Sequence, residues 1–137
     1  MRRWFGRVRR MRASDYATAI EVIALAIWVE IALRLMPFSE LLERLKQRSP
    51  NVMSAGNEYQ RLHRYVAIAY ETLPFPATCL RRSLVLHGLL ARRGAPSRVC
   101  FGVAKNGDVL SAHAWVECAG VTPDAAAGFG ELQAYRS

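Results

Sequence analysis

Cysteine and histidine are scarce in this chain, with three of each in 137 residues. Cys79, Cys100 and Cys118 match no metal-binding pattern, and His63, His87 and His113 show no close ligand spacing, so no metal is expected. An odd cysteine count argues against a secreted disulfide framework, which makes a reducing cytoplasm the expected compartment. No phosphate-binding glycine loop occurs, and no cofactor is expected. Internal repeats and low-complexity linkers are missing too, and the length suits one domain over residues 1–137. Long apolar runs are absent. The greasiest segment, Tyr16 to Met36, is interrupted by Glu21, Glu30 and Arg34, and its longest uncharged run, Val22 to Val29, is too short to span a bilayer. Asp15 and Glu21 make it a poor signal peptide.

What remains is a globular composition, 52% apolar and 22% charged, with a mean hydropathy of +0.04. The net charge of +8 is concentrated: Arg2, Arg3, Arg7, Arg9, Arg10 and Arg12 fall in the first twelve residues, which hold no acid. The basicity is therefore mainly that of an arm, residues 1–12. Trp4, Phe5, Val8 and Met11 are interleaved with those arginines, a pattern that suits an anionic membrane, an acidic partner or RNA as well as a merely solvated terminus. Weak membrane-surface contact through the arm is the expectation carried forward, and a nucleic-acid partner is not expected.

Residues 13–73 read as helical. At helical pitch Glu21 and Glu30 project to opposite sides of the first helix, so it has no single clean apolar face; Glu30 and Arg34 are spaced as an i,i+4 pair. Such a helix is expected between the domain and something else, with core packing alone, a partner surface and a membrane surface all open, and with Glu21, Trp28, Glu30 and Arg34 as candidate partner contacts. Pro37 ends it, and Ser39 and Glu40 can begin a short second helix carrying Leu41, Leu42 and Leu45. Tyr59, Leu62, Tyr65, Val66, Ala69 and Leu73 recur at intervals of three and four, which predicts a third helix from about Ala55 to about Thr72.

The character changes at Leu73-Pro74-Phe75-Pro76, where two prolines force an extended path. Thr78 is a good N-cap, and Leu80, Leu84, Leu86, Leu89 and Leu90 then build a helix that Gly94 can end. Cys79 falls in its first turn, where free backbone N–H groups and the positive end of the helix dipole favour a thiolate. Arg81 and Arg82 would add to the effect if they lie close. From Arg98 the period switches to two. A strand to Val103, an Asn106-Gly107 turn and a strand including Ala112 to Cys118 follow, with His113, Trp115 and Glu117 on one face.

A thiol at a helix start and an imidazole 34 residues later on a strand make a candidate nucleophile and base. Taken alone, Cys79 is equally a small buried hydrophobe and His113 a packed core histidine. Asp124, eleven residues beyond His113 and across one turn, can bring a carboxylate toward the imidazole and steady it. Asp108 in the hairpin turn and Glu117 on the histidine's own face are its rivals. His63 and His87 read as surface or packed residues, and Cys100 and Cys118 as core.

At these residues the chain resembles a known family. Thr78-Cys79-Leu80-Arg81-Arg82-Ser83-Leu84, Leu89-Leu90-Ala91-Arg92-Arg93-Gly94-Ala95-Pro96, Gly102-Val103 and His113-Ala114-Trp115-Val116-Glu117 are similar to the transglutaminase-like core of lasso peptide biosynthesis B proteins, and most of all to their free-standing B2 form, the leader peptidase. The similarity runs from about Thr78 to Asp124. It implies an α+β fold, a helical N-terminal half followed over residues 74–137 by a papain-like core whose catalytic helix packs on a small antiparallel sheet. It further implies a cysteine protease that removes the leader from a ribosomally made precursor peptide, with Cys79 as nucleophile, His113 as base and Asp124 as orienting acid. The implied partners are the precursor peptide, a small leader-binding B1-type protein and an ATP-using lasso cyclase. Two other readings stay open: another thiol-dependent acyl transferase or amidase on the same scaffold, and a non-catalytic adaptor working through the basic arm and first helix.

Overall fold

The computed structural model describes residues 12–45, 55–118 and 130–135. Four helices precede a three-stranded antiparallel sheet, as expected of an α+β chain. Helix α1 runs Ala13–Leu35, α2 Phe38–Leu45, α3 Ala55–Thr72 and α4 Cys79–Arg92. Strand β1 covers Ser97–Asn106, β2 Val109–Cys118 and β3 Gly130–Tyr135.

Local chemistry sets the helix ends. The Asp15 carboxylate accepts the Arg12 N–H at 3.0 Å at the start of α1. Before Pro37 the Met36 backbone swings to an extended φ of −136°, which closes the helix. Thr78 Oγ1 accepts the Arg81 N–H and caps α4. At the other end Gly94 adopts φ 72°, and the Ala95 N–H reaches back to the Leu90 carbonyl at 2.9 Å.

Helix α4 is the centre of the molecule. Every residue from Ser83 to Leu90 is buried, so it is enclosed all round rather than laid on a surface. It packs on α1, α2, α3, β1 and β2. Gly88 allows a close approach of α1 and α2: a Cβ there would lie 2.9 Å from Leu45 Cδ2 and 3.0 Å from Leu25 Cδ2. The sheet contributes Val99, Val116 and Cys118 to the same core.

Helix α1 is fixed to this core by its acids. Glu30, 3% exposed, accepts Arg81 Nε at 2.7 Å and Arg34 at 3.0 Å. Glu21 accepts the Arg93 guanidinium at 2.9 and 3.2 Å. Asp15 accepts the Tyr65 hydroxyl at 2.9 Å, with Arg61 3.6 Å away. The expected Glu30–Arg34 pair forms. Glu21 and Glu30, both candidate partner contacts, bind arginines of this chain. Hydrogen bonds from Arg81 pull the Glu30 carboxyl below its ordinary value against the effect of burial. Burial works to raise Glu21, and the charges and hydrogen bonds of Arg93 and Arg92 outweigh it.

In the sheet, β2 and β1 form a hairpin that pairs Ser97 with Cys118 and Asn106 with Val109. Its turn residues are Gly107, at φ 62°, and Asp108, one position on from the Asn-Gly pair that signalled it. Strand β3 lies on the other side of β1, giving the order β2-β1-β3.

His87 supplies a pH test of this core. It is 2% exposed, shares a 2.8 Å hydrogen bond with Ser97 through Nδ1, and its Nε2 has no partner among the described residues. Burial depresses its pKa from 6.5 to about 4. The unfolded chain therefore takes up a proton near 6.5 that the folded chain refuses until about 4, so acid favours unfolding across that window. Stability should fall by about 3 kcal/mol from this group between those pH values and level off below them. Thermal melts of wild type and His87→Asn across this range check it: the variant's slope should be the shallower, and equal slopes would refute the assignment.

Candidate active site

Cys79 is the first residue of α4 and is half-buried. Where an extended path was expected, the chain bends at Leu73, Pro74 and Phe75 before α4, and Cys79 lines a pocket of about 310 Å3. Helix α4 contributes Cys79, Arg82, Ser83 and Leu86 to the lining, and β2 contributes His113 to Val116. The opposite wall is α3, with Tyr59, His63, Val66 and Ala67. Cys79 and His113, paired from sequence, thus open onto one cavity.

His113 is half-buried and stacks on Trp115, the ring centroids 6.1 Å apart and the planes at 23°. This is the shared face expected from strand alternation. Ala114, Val116 and Cys118 alternate inward and are buried. Trp115 Nε1 donates to Glu117 at 3.4 Å, and Arg98 Nε donates to the same carboxylate at 2.8 Å. The rival Glu117 is therefore engaged with a cation, and the rival Asp108 is exposed at the hairpin turn. Asp124 lies outside the described residues. The sheet register adds one acidic position that sequence reasoning missed: Gly102 pairs with His113 on one side and with Glu131 on the other, so a side-chain-free residue separates the two across the sheet.

The two arginines after Cys79 divide their tasks. Arg81 turns away to Glu30 and fastens the first turn of α4 to α1. Arg82 is exposed, lines the pocket and makes no ion pair among the described residues. Of the pair proposed to assist the thiolate, only Arg82 is at the cavity.

His63 is exposed on α3, in line with its reading as a surface residue, and it also lines the pocket, a placement the sequence reading did not give it. It stacks on Tyr59, four residues earlier on α3, at 6.1 Å and 15°. The Tyr59 hydroxyl in turn donates to the Val116 carbonyl at 3.2 Å, binding α3 to β2 across the pocket floor. The face shared by Tyr59, His63, Val66 and Ala67 was the available signal. Cys100 and Cys118 are buried, as expected, and burial pushes the Cys118 thiol up. No cluster of three metal-ligating side chains exists among the described residues.

Comparison with known families decides the lineage of this arrangement. The profile of the Transglutaminase-like superfamily matches residues 23–136. The chain belongs to the transglutaminase-like superfamily. No curated protein and no solved structure compared with it gives a match. Members of the transglutaminase-like superfamily are typically cysteine-based enzymes, and the match takes in α4, both hairpin strands and most of α1. The match thus takes in the helical residues from 23 onward as well as the strands.

Exposure separates the three thiols. Iodoacetamide applied to the native protein should label Cys79 at least about tenfold faster than Cys100 or Cys118, which are 0% and 2% exposed. Peptide mapping by mass spectrometry reads the ratio, and equal labelling of all three would show that the pocket does not present Cys79.

Proposed function

We propose that this protein is a cysteine peptidase that removes the leader from a ribosomally made lasso precursor peptide. It would act with a small leader-binding B1-type protein and supply the released core to an ATP-using lasso cyclase. The observation that carries the reading is the shared cavity, with a helix-start cysteine and a strand histidine on its walls. The Thr78–Leu84 and His113–Glu117 motifs support the finer assignment within the superfamily.

In this mechanism His113 takes the Cys79 proton and Sγ attacks the carbonyl carbon at the leader–core junction. The Cys79 N–H, at the first helical position and outside the helical ladder, donates to the oxyanion. His113 returns its proton to the departing core amine, which leaves the leader as a thioester on Cys79. Water, deprotonated by His113, hydrolyses that thioester, and the leader carboxylate departs as the thiol is restored. Asp124 accepts the other imidazole N–H and keeps the ring oriented. The exposed Arg82 guanidinium lines the same cavity as the thiol.

Pocket size explains the need for a partner. A cavity of about 310 Å3 is at the lower end for ligand sites, enough for a residue or two beside the cleaved bond. A separate leader-binding protein would raise the effective concentration of the junction without new contacts at the site.

Mass spectrometry of a precursor incubated with this protein and its partner tests the proposal. Cys79→Ala and His113→Ala should each lower cleavage by about a thousandfold or more. Asp124→Asn should cost more than Glu131→Gln if Asp124 is the orienting acid. Adding the partner should lower the apparent KM by about an order of magnitude. Leader removal that persists in Cys79→Ala would overturn the peptidase reading, and a leader joined to an amine acceptor instead of released as the acid would replace hydrolysis with acyl transfer.

A further inference from the structure

Helix α1 has an inverted character. Each of its acids, Asp15, Glu21 and Glu30, is engaged by a guanidinium or hydroxyl of the protein body, and while Val22, Leu25 and Val29 pack into the core, its four isoleucines and Leu35 face out. Tyr16, Ile20, Ile23, Ile27, Ile31 and Leu35 are exposed, Ile20 at 68% and Leu35 at 78%. Their spacing of three and four draws one ridge about 28 Å long. No exposed charge occurs on α1 between Arg12 and Arg34. An apolar surface of this length is uncommon on a free-standing domain.

We propose that this ridge, together with the arginine arm that leads into it, seats the protein on an anionic membrane, with α1 lying in the plane of the interface. Charge chooses the occupant. Arg12 and Arg34 mark the two ends of the ridge, and six arginines in the first twelve residues, with no acid, precede it. Anionic headgroups complement that charge, and acyl chains complement the isoleucines. A second copy meeting this face would offer no exposed acid from its own α1 to the arm.

The same residues distinguish an in-plane seat from a span. Helix α1 is long enough to cross a bilayer, with a mean hydropathy of 1.8 over its best window, of which 39% is buried in the protein. The expectation that this segment is too short to span rested on its longest uncharged run, and helix length corrects it. A span would nevertheless carry Glu21 and Glu30 into lipid and strip Arg93 and Arg81 of their partners. Lying flat keeps every ion pair and buries only the ridge.

Vesicle flotation tests the seat independently of any peptidase activity. The full chain should float with vesicles of phosphatidylcholine and phosphatidylglycerol in equal parts, and far less with phosphatidylcholine alone or in high salt. Replacing Ile20→Ser and Ile31→Ser together, both exposed, should weaken binding by about tenfold or more, with an unchanged thermal melt and unchanged Cys79 alkylation as controls. Deleting residues 2–11 should weaken it as well. The proposal is overturned by any of four results: no flotation, an undiminished serine variant, a dimer that the serine pair dissociates, or stronger binding after the arm is deleted, which would mean that the arm itself covers the ridge.

Discussion

The structure depends on two glutamates of α1 that hold the two ends of α4. Glu30 fastens Arg81, two residues after Cys79, and Glu21 fastens Arg93, the last cap residue. Helix α4 is therefore clamped lengthwise against α1 as well as buried on all sides. Apolar contact is non-directional and would permit sliding, whereas a forked guanidinium on a carboxylate fixes position along the axis. Breaking either pair leaves charge behind in a partly buried place, which is costlier than never having built it.

This clamp determines where the chemistry can be. With α4 held, Cys79 sits at the end of a fixed rod, and the Tyr59–Val116 hydrogen bond sets α3 against β2 around it. The pocket is the gap left among these three elements. It is small because the domain is small, and a site of that size suits a peptide bond delivered by something else. The clamp also turns Glu21 and Glu30 of α1 inward, which is why its isoleucines remain outside. One set of ion pairs thus positions the thiol and creates the apolar ridge.

Much of this was legible in the residues. Proline, threonine and the leucine spacing placed Cys79 at a helix start, because capping and periodicity are local properties that survive folding. Strand alternation put His113 and Trp115 on one face for the same reason. Helix α3 has the bounds expected for it, Ala55 to Thr72. Less legible were features set by distant partners. Arg81 and Arg82 are adjacent and chemically alike, yet only the position of Glu30, 51 residues earlier, turns one away from the pocket. Helical spacing puts His63 on one face with Tyr59, Val66 and Ala67, but only the packing of α3 against α4 and β2 shows that this face lines the site. Strand β3 pairs with the open edge of β1, a choice made by the whole sheet. The outward isoleucines were hidden because apolar residues ring α1, and only the paired acids show which side faces in.

The central claim is that Cys79 and His113 act as one reacting pair in the pocket between α3, α4 and β2. Its most direct test is the rate at which a chloromethyl ketone built on the leader–core junction sequence alkylates Cys79 in wild type and in His113→Ala, with circular dichroism confirming the fold of both. The account predicts that loss of the imidazole slows labelling about a hundredfold or more. Equal rates in the two proteins would contradict it.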